Sequence, residues 1–233
     1  MSPLLESQLT PVQQRVLGEL SSTGISIVPF AELVDDDDLW SQLKADMDEF
    51  VAGAEDELEH GGGAKRKKDF LIRKYPRGKK KLPKEEAILP SDGPWLRYAA
   101  GDALLGIVNS YRGAQVKLVD FDQWYTVPVG DDAERVASQE WHRDPEDQHV
   151  VKVFLYFSEV DEDAGPFEYV PGSMIGGRRF LAHETITLLR RHAHPFPANS
   201  QPVKIAPVAA SKQRLFSFHR CGCENRGAAR SIR

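Results

Sequence analysis

Trp141-His142-Arg143-Asp144, a turn at Pro145, then Val150-Val151-Lys152-Val153-Phe154-Leu155-Tyr156-Phe157: the reading of the whole chain depends on this stretch. His142 and Asp144 are one residue apart, so an extended strand carries both on the same side. The run that follows is almost wholly apolar, as a strand covered on both faces would be. Its alternation puts Lys152, Phe154 and Tyr156 on one face. Any such strand needs an inward face, so simple packing accounts for these three as readily as a binding role does.

Outward from there the texture is that of short strands. Val116-Lys117-Leu118-Val119-Asp120-Phe121, Phe167-Glu168-Tyr169-Val170 and Arg214 to Phe218 are strand-like runs, with turn chemistry at Asp163-Ala164-Gly165-Pro166 and Val170-Pro171-Gly172-Ser173. Many short strands without intervening helices predict a jelly roll or related barrel from about residue 94 onward. Residues 176–200 read as a long excursion between strands, with a helical pattern from Glu184 to Arg191. No repeat recurs at the period of a solenoid.

The N-terminal part is different. Thr10 is placed as an N-cap, with Pro11 at the first helical position, Gln13 at the capping-box position, and Val12, Val16, Leu17 and Leu20 as an apolar stripe ending at Gly24. Ile25 to Phe30 alternates like a short strand. Asp35 to Asp38 precede a second helix, whose stripe is Leu39, Trp40, Leu43, Met47, Phe50 and Val51. Both helices read as scaffold.

The 233 residues suit one domain, the net charge of −5 argues against a nucleic-acid binder by overall field, and an apolar fraction of 41% is ordinary for a globular protein. No run of ~18 apolar residues suggests a membrane span. The first residues lack a basic and then apolar leader pattern, and the only cysteines, Cys221 and Cys223, are spaced too closely to favour a disulfide. A reducing, cytoplasmic setting is expected.

A basic run interrupts this picture. Gly61-Gly62-Gly63 is followed by eleven Lys or Arg in residues 65–84, broken by Phe70, Leu71, Ile72 and Tyr75. A solvated loop is the plain account. Capture of an anionic substrate, or a lid over a site, is the sharper one. Nucleic acid is disfavoured, because no stacking platform accompanies the charge.

His142 and Asp144 acquire chemistry only with a third partner. Two histidines and one carboxylate on one face of a metal leave positions open, as in non-haem Fe(II) oxygenases. His219 ends the alternating run Leu215-Phe216-Ser217-Phe218-His219, whereas His183, His192 and His194 fall in the excursion, where a rigid ligand set is harder to hold. His219, Cys221 and Cys223 could instead hold zinc, although two cysteines at that spacing do not match a usual knuckle. Arg230 follows His219 by eleven residues. A guanidinium there can grip a carboxylate through two parallel hydrogen bonds, and Arg220, Arg226 and Arg233 are its rivals if the spacing is loosened.

Taken together, Trp141-His142-Arg143-Asp144-Pro145, the segment Asp161 to Ser173, His219 and Arg230 resemble the phytanoyl-CoA dioxygenase family of Fe(II)- and 2-oxoglutarate-dependent oxygenases. The resemblance covers roughly residues 20–233, with its specific motifs within 139–230. It implies a mainly β fold with N-terminal helices, a double-stranded β-helix of the jelly-roll or cupin type. It implies His142, Asp144 and His219 as catalytic metal ligands and Arg230 on the C5 carboxylate of 2-oxoglutarate. Phe154 falls where the family places an aromatic against the cosubstrate, with Lys152 or Tyr156 sharing that pocket. Cofactors would be Fe(II) and 2-oxoglutarate, with ascorbate as an optional addition, and the partners O2 and a small-molecule substrate. Two features depart from the pattern. Met174 stands where the family often has histidine, and three residues follow Arg230, so a C-terminally truncated barrel is expected.

The organisation expected is one oxygenase domain over 1–233, with a helical layer at 1–60, a basic loop or lid at 61–90 and the double-stranded β-helix core at 91–233. The activity expected is hydroxylation of a small, anionic molecule; the carboxylate at Asp144 disfavours a halogenase. The alternatives are a non-catalytic barrel that binds without turnover, and an anion or nucleic-acid interaction protein acting through 65–84.

Overall fold

The computed structural model describes residues 9–60, 71–74, 89–129, 142–143, 150–160, 164, 166–173, 203–205, 215–220 and 223–226. Helix α1 (Pro11–Thr23) begins as its sequence predicts. The Thr10 hydroxyl accepts from the Gln13 amide at 3.3 Å while the Gln13 side chain accepts from the Thr10 amide at 2.8 Å, satisfying two N-terminal donors reciprocally. Gly24 closes the helix in the left-handed region, at φ 84°, and its N–H donates to Leu20. Strand β1 (Ile25–Pro29) leads into a single turn, α2 (Phe30–Leu33), and then α3 (Asp37–His60). Asp36 caps α3 by accepting from the Leu39 amide at 2.8 Å, and Asp37 and Asp38 add negative charge to its first turn.

Beyond the helical layer the structure departs from expectation in three places. Residues 94–112 form helices α4 (Pro94–Ala99) and α5 (Asp102–Arg112), not strands. Val116 to Phe121 is not a strand either. The Asn109 side chain takes the Val116 amide at 2.9 Å, and Leu118 and Val119 are 53% and 76% exposed with no strand beside them among the described residues. The basic segment is not wholly loop, because Leu71–Arg73 is a strand, β2, paired antiparallel with β3 (Trp124–Thr126).

The remaining strands are β4 (His142–Arg143), β5 (Val151–Leu155), β6 (Phe167–Tyr169), β7 (Val203–Ile205), β8 (Leu215–Arg220) and β9 (Cys223–Arg226). They pair antiparallel into a three-stranded sheet, β1-β8-β5, and a four-stranded sheet, β4-β9-β6-β7, beside the β2-β3 ribbon. From β4 to β6, and again from β7 to β9, the chain alternates between the two larger sheets. The described strands do not close into a barrel. The turn into Ser173 forms as its sequence predicts: Ser173 donates to the Val170 carbonyl at 3.1 Å, Gly172 has φ 76°, which a β-carbon would oppose, and Ser173 is fully buried.

Alternate residues of the three-stranded sheet serve two neighbours. Val28, Val151, Val153 and Leu155 join a core with Val16, Leu20, Phe30, Trp40, Leu43, Trp95, Tyr98, Leu104 and Ile107. Phe157, past the end of β5, stacks on Trp40 with centroids 5.0 Å apart. Ile25, Ile27 and Phe154 pack instead against Phe167 and Tyr169 of the four-stranded sheet. Among the described residues no helix is long and apolar enough to cross a membrane.

Candidate functional site

The two candidate histidines are brought to facing sheets by strand register. On β8, His219 is opposite Ile25 of β1 and Lys152 of β5. Directly opposed residues of an antiparallel pair share a face, so the His219 position belongs to the row of Ile25 and Lys152. That is the face on which Ile25, Ile27 and Phe154 meet the other sheet. In the four-stranded sheet, His142 of β4 is opposite Glu224 of β9, which is opposite Tyr169 of β6. Tyr169 is fully buried and packs toward Ile25, Ile27 and Phe154. The row of His142 and the row of His219 are therefore on the two faces that confront each other.

Asp144 and Arg230 lie outside the described residues, as do Cys221, His183, His192, His194 and Met174. Among the described residues no group of three or more His, Cys, Asp or Glu side chains gathers closely enough to hold a metal, and the set read from sequence draws its carboxylate from outside them. The zinc alternative fits the strands poorly, because Cys223 is opposite Arg143 and so belongs to the row that alternates with that of His142 and Glu224, not to the face confronting the His219 row.

The cosubstrate candidates on β5 share a face as their alternation predicts. Lys152 is in the His219 row and Phe154 in the next row, opposite Ser217; Tyr156 follows just past the strand end. All three are half-buried. The Phe154 ring is 5.5 Å from Phe167 across the sheets and 5.7 Å from Trp124 of the ribbon. Trp124 is a residue that the linear reading missed. Its place comes from two long-range contacts, the pairing of Arg73 with Trp124 and the approach of its ring to Phe154.

Two cations of the basic run are described, and both are engaged. Arg73 donates to Asp122 at 3.0 Å and lies over the Trp124 ring at 4.9 Å. Lys74 donates to Asp46 at 2.9 Å. Asp46 also accepts from Trp95 Nε1 and Gln123 Nε2, each at 2.7 Å. Burial pushes the Asp46 carboxyl up, but those three hydrogen bonds and the Lys74 charge outweigh it and hold the group below its usual range. On β3, burial, the nearby Glu55 charge and a hydrogen bond to that carboxylate all push the Tyr125 hydroxyl up. A shallow groove between α3 and β2, with Glu49, Phe50, Glu57 and Ile72 in its lining, includes none of the candidate site residues.

No protein-family model matches the chain, and a comparison with curated proteins gives no match. Among solved structures, the chain is similar to the crystal structure of EctD from S. alaskensis with bound Fe. The likeness has a TM-score of 0.50 at 15% identity and covers 95% of this chain and 72% of that one. At that identity what is shared is the fold.

Proposed function

We propose that this chain is an Fe(II)- and 2-oxoglutarate-dependent oxygenase built on a double-stranded β-helix, resembling in its motifs the phytanoyl-CoA dioxygenase family, and that it hydroxylates a small molecule. One observation carries the reading: the register rows of His142 and His219, which are 77 residues apart in sequence, lie on the confronting faces of two sheets. The fold likeness to a protein solved with bound iron supports it, and so does the Pro171-Gly172-Ser173 turn with its buried Ser173.

The donor set suits the metal. Two imidazoles and one carboxylate are the ligands of a facial site with open positions, and His142, Asp144 and His219 would supply them. Iron so held would supply the activation of dioxygen. The chain's own residues bind and orient. Arg230 would pair with the distal carboxylate of 2-oxoglutarate, Phe154 would bound the cosubstrate on the β5 side, and Lys152, one register row away, would place positive charge beside the His219 position. Tyr156 would line the same face. Ascorbate, O2 and an anionic substrate belong to this proposal, as does a cytoplasmic setting.

The test needs no substrate. Protein loaded with Fe(II) in the absence of oxygen should develop a weak visible charge-transfer band on addition of 2-oxoglutarate. On admission of oxygen it should convert 2-oxoglutarate slowly to succinate. Absence of both the band and succinate from folded, iron-loaded protein would falsify the reading.

A further inference from the structure

The basic run is the motif that the proposed chemistry leaves unused, and its described part is tied into the fold. Arg73 closes β2 with its guanidinium on Asp122, whose side chain is only 5% exposed, and over the indole of Trp124, its register partner. The next residue, Lys74, is held from α3 by Asp46. The strand is thus pinned at adjacent residues by carboxylates from two other parts of the chain. Trp124 in turn is 5.7 Å from Phe154 at 59° between ring planes, and both rings are half-buried. Among the described strands β5 is at the edge of the β1-β8-β5 sheet, and the ribbon touches it through this ring pair.

We infer that Arg73 and Trp124 are positioning residues for the cosubstrate pocket: the cation fixes the indole, and the indole fixes the Phe154 ring that bounds 2-oxoglutarate. This rests on the oxygenase reading above. The physical basis is direct. A phenyl ring on an edge strand is free to change rotamer unless something occupies the space beside it, and each alternative rotamer lowers the fraction of protein ready to bind. The Phe167 ring and the indole both stand beside Phe154, and of the two the indole comes from the ribbon. Arg73 orients the indole by electrostatic attraction to its face, and Asp122 holds Arg73. The basic segment then acts on the site by clamping it; capture of an anion by these two cations is not required.

The experiment is a titration of 2-oxoglutarate into the full chain with Fe(II), without oxygen, following the charge-transfer absorbance, with the iron constant measured separately. Trp124→Ala should raise the 2-oxoglutarate constant about tenfold, ~1.4 kcal/mol, and leave the iron constant within about twofold. Trp124→Phe should recover most of this, because a ring again backs Phe154. Arg73→Met should weaken 2-oxoglutarate by about threefold, and Arg73→Lys should restore it, since an ammonium also attracts the ring face. A general loosening of the fold would weaken iron and 2-oxoglutarate together, and that outcome overturns the inference. So does a 2-oxoglutarate constant unchanged in both Trp124→Ala and Arg73→Met while the unmodified protein shows the band. If Trp124→Ala does not fold, Trp124→Phe against Arg73→Met and Arg73→Lys decides the matter. If the unmodified protein shows no band, the oxygenase reading itself has failed, and the inference with it.

Discussion

Val28, Val151, Val153 and Leu155 turn from the three-stranded sheet toward the helices, while Ile25, Ile27 and Phe154, alternating with them on the same strands, meet Phe167 and Tyr169 of the second sheet. The first face covers the buried core. Val28, Phe30, Leu20, Leu43 and Ile107 are fully buried, and the aromatic rings of Phe30, Trp40, Trp95, Tyr98 and Phe157 interlock over it. On the second face Ile25, Ile27, Lys152, Phe154 and Tyr156 are half-buried; the contrast is drawn by β1, where Ser26 and Val28 are buried between them, whereas Val151, Val153 and Leu155 of β5 are half-buried as well. The same strands therefore do two jobs. Apolar area removed from water on the helical side stabilises the fold at roughly 25 cal/mol per Å². The side that confronts the second sheet keeps accessible surface where the two candidate histidine rows face each other.

That contrast predicts a separation of effects, and its sharpest test is at the histidines. His142→Ala and His219→Ala should each abolish the Fe(II)–2-oxoglutarate charge-transfer band, and Asp144→Ala should remove hydroxylation, with melting temperature little changed. Retention of the full band in either histidine variant would take that residue out of the ligand set. The reciprocal change belongs in the sealed core. Leu43→Ala leaves a cavity among residues that are wholly buried, and should cost about 2–5 kcal/mol of stability. The 2-oxoglutarate constant of the folded fraction should stay as it was. If Leu43→Ala altered that constant severalfold, the two faces would not be separable.

Arg230 gives a graded version of the same test. Arg230→Ala should raise the 2-oxoglutarate constant by about 30-fold or more, since a truncated charge-assisted pair typically loses roughly 2–5 kcal/mol. Arg230→Lys should recover part of it, because an ammonium lacks the planar fork. Arg226, on β9 opposite Phe167 and therefore on the same face as the His142 row, is the rival on the same segment, and Arg226→Ala should have the smaller effect. A damaging Arg226→Ala beside a silent Arg230→Ala would mean that the eleven-residue spacing from His219 had been assigned to the wrong arginine.

How legible these two regions were in the sequence follows from where their signals reside. Helix α1 announced both its ends, because Thr10, Pro11, Gln13 and Gly24 are local chemistry that the backbone uses directly. Helices α4 and α5 announced their starts more faintly, through Pro94 at the first position of α4 and Asp102 in the first turn of α5. Their N-caps are Gly93 and Gly101, which have no side-chain oxygen to accept from the first amides, and α4 is only six residues long. Val116 to Phe121 alternates as a strand should, yet alternation reports a buried face only where a partner strand exists, and here Asn109 captures the first amide instead. The converse holds for β2. Leu71–Arg73 is hidden in a charge run, and becomes a strand only through its pairing with residues about fifty positions away. At the site, His142 and His219 were readable as residue types with a plausible spacing. That their rows confront each other depends on Glu224 bridging β4 and β6, which no local pattern encodes. Trp124 was invisible for the same reason.

The smallest effect tests the tie between the two regions. Asp46 on α3 accepts from Lys74 through Oδ1 and from Trp95 and Gln123 through Oδ2, so one carboxylate joins the helical layer to both sides of the ribbon. An asparagine there has a single acceptor oxygen, and either orientation turns its amino group toward a donor. Asp46→Asn should therefore cost about 1–2 kcal/mol of stability near neutral pH, the range for leaving a partly buried hydrogen bond unmade. The dependence on pH has a definite sign. Because the folded-state carboxyl titrates below its unfolded value, the charged form stabilises the fold. Its contribution is complete above the unfolded value of about 4 and is lost as pH falls through the lower folded value. The stability gap between the unmodified protein and Asp46→Asn, measured by denaturant titration, should be constant from about pH 6 to 5 and shrink progressively below about pH 4. A gap that widened on acidification would reverse the sign assigned to Asp46. If the gap behaves as expected while the 2-oxoglutarate constant of Asp46→Asn shifts less than that of Trp124→Ala, the ribbon is held to the scaffold by Asp46 and acts on the site through its indole. If Asp46→Asn shifts it as strongly, the scaffold and the site are one mechanical unit, and the division between the two faces has to be given up.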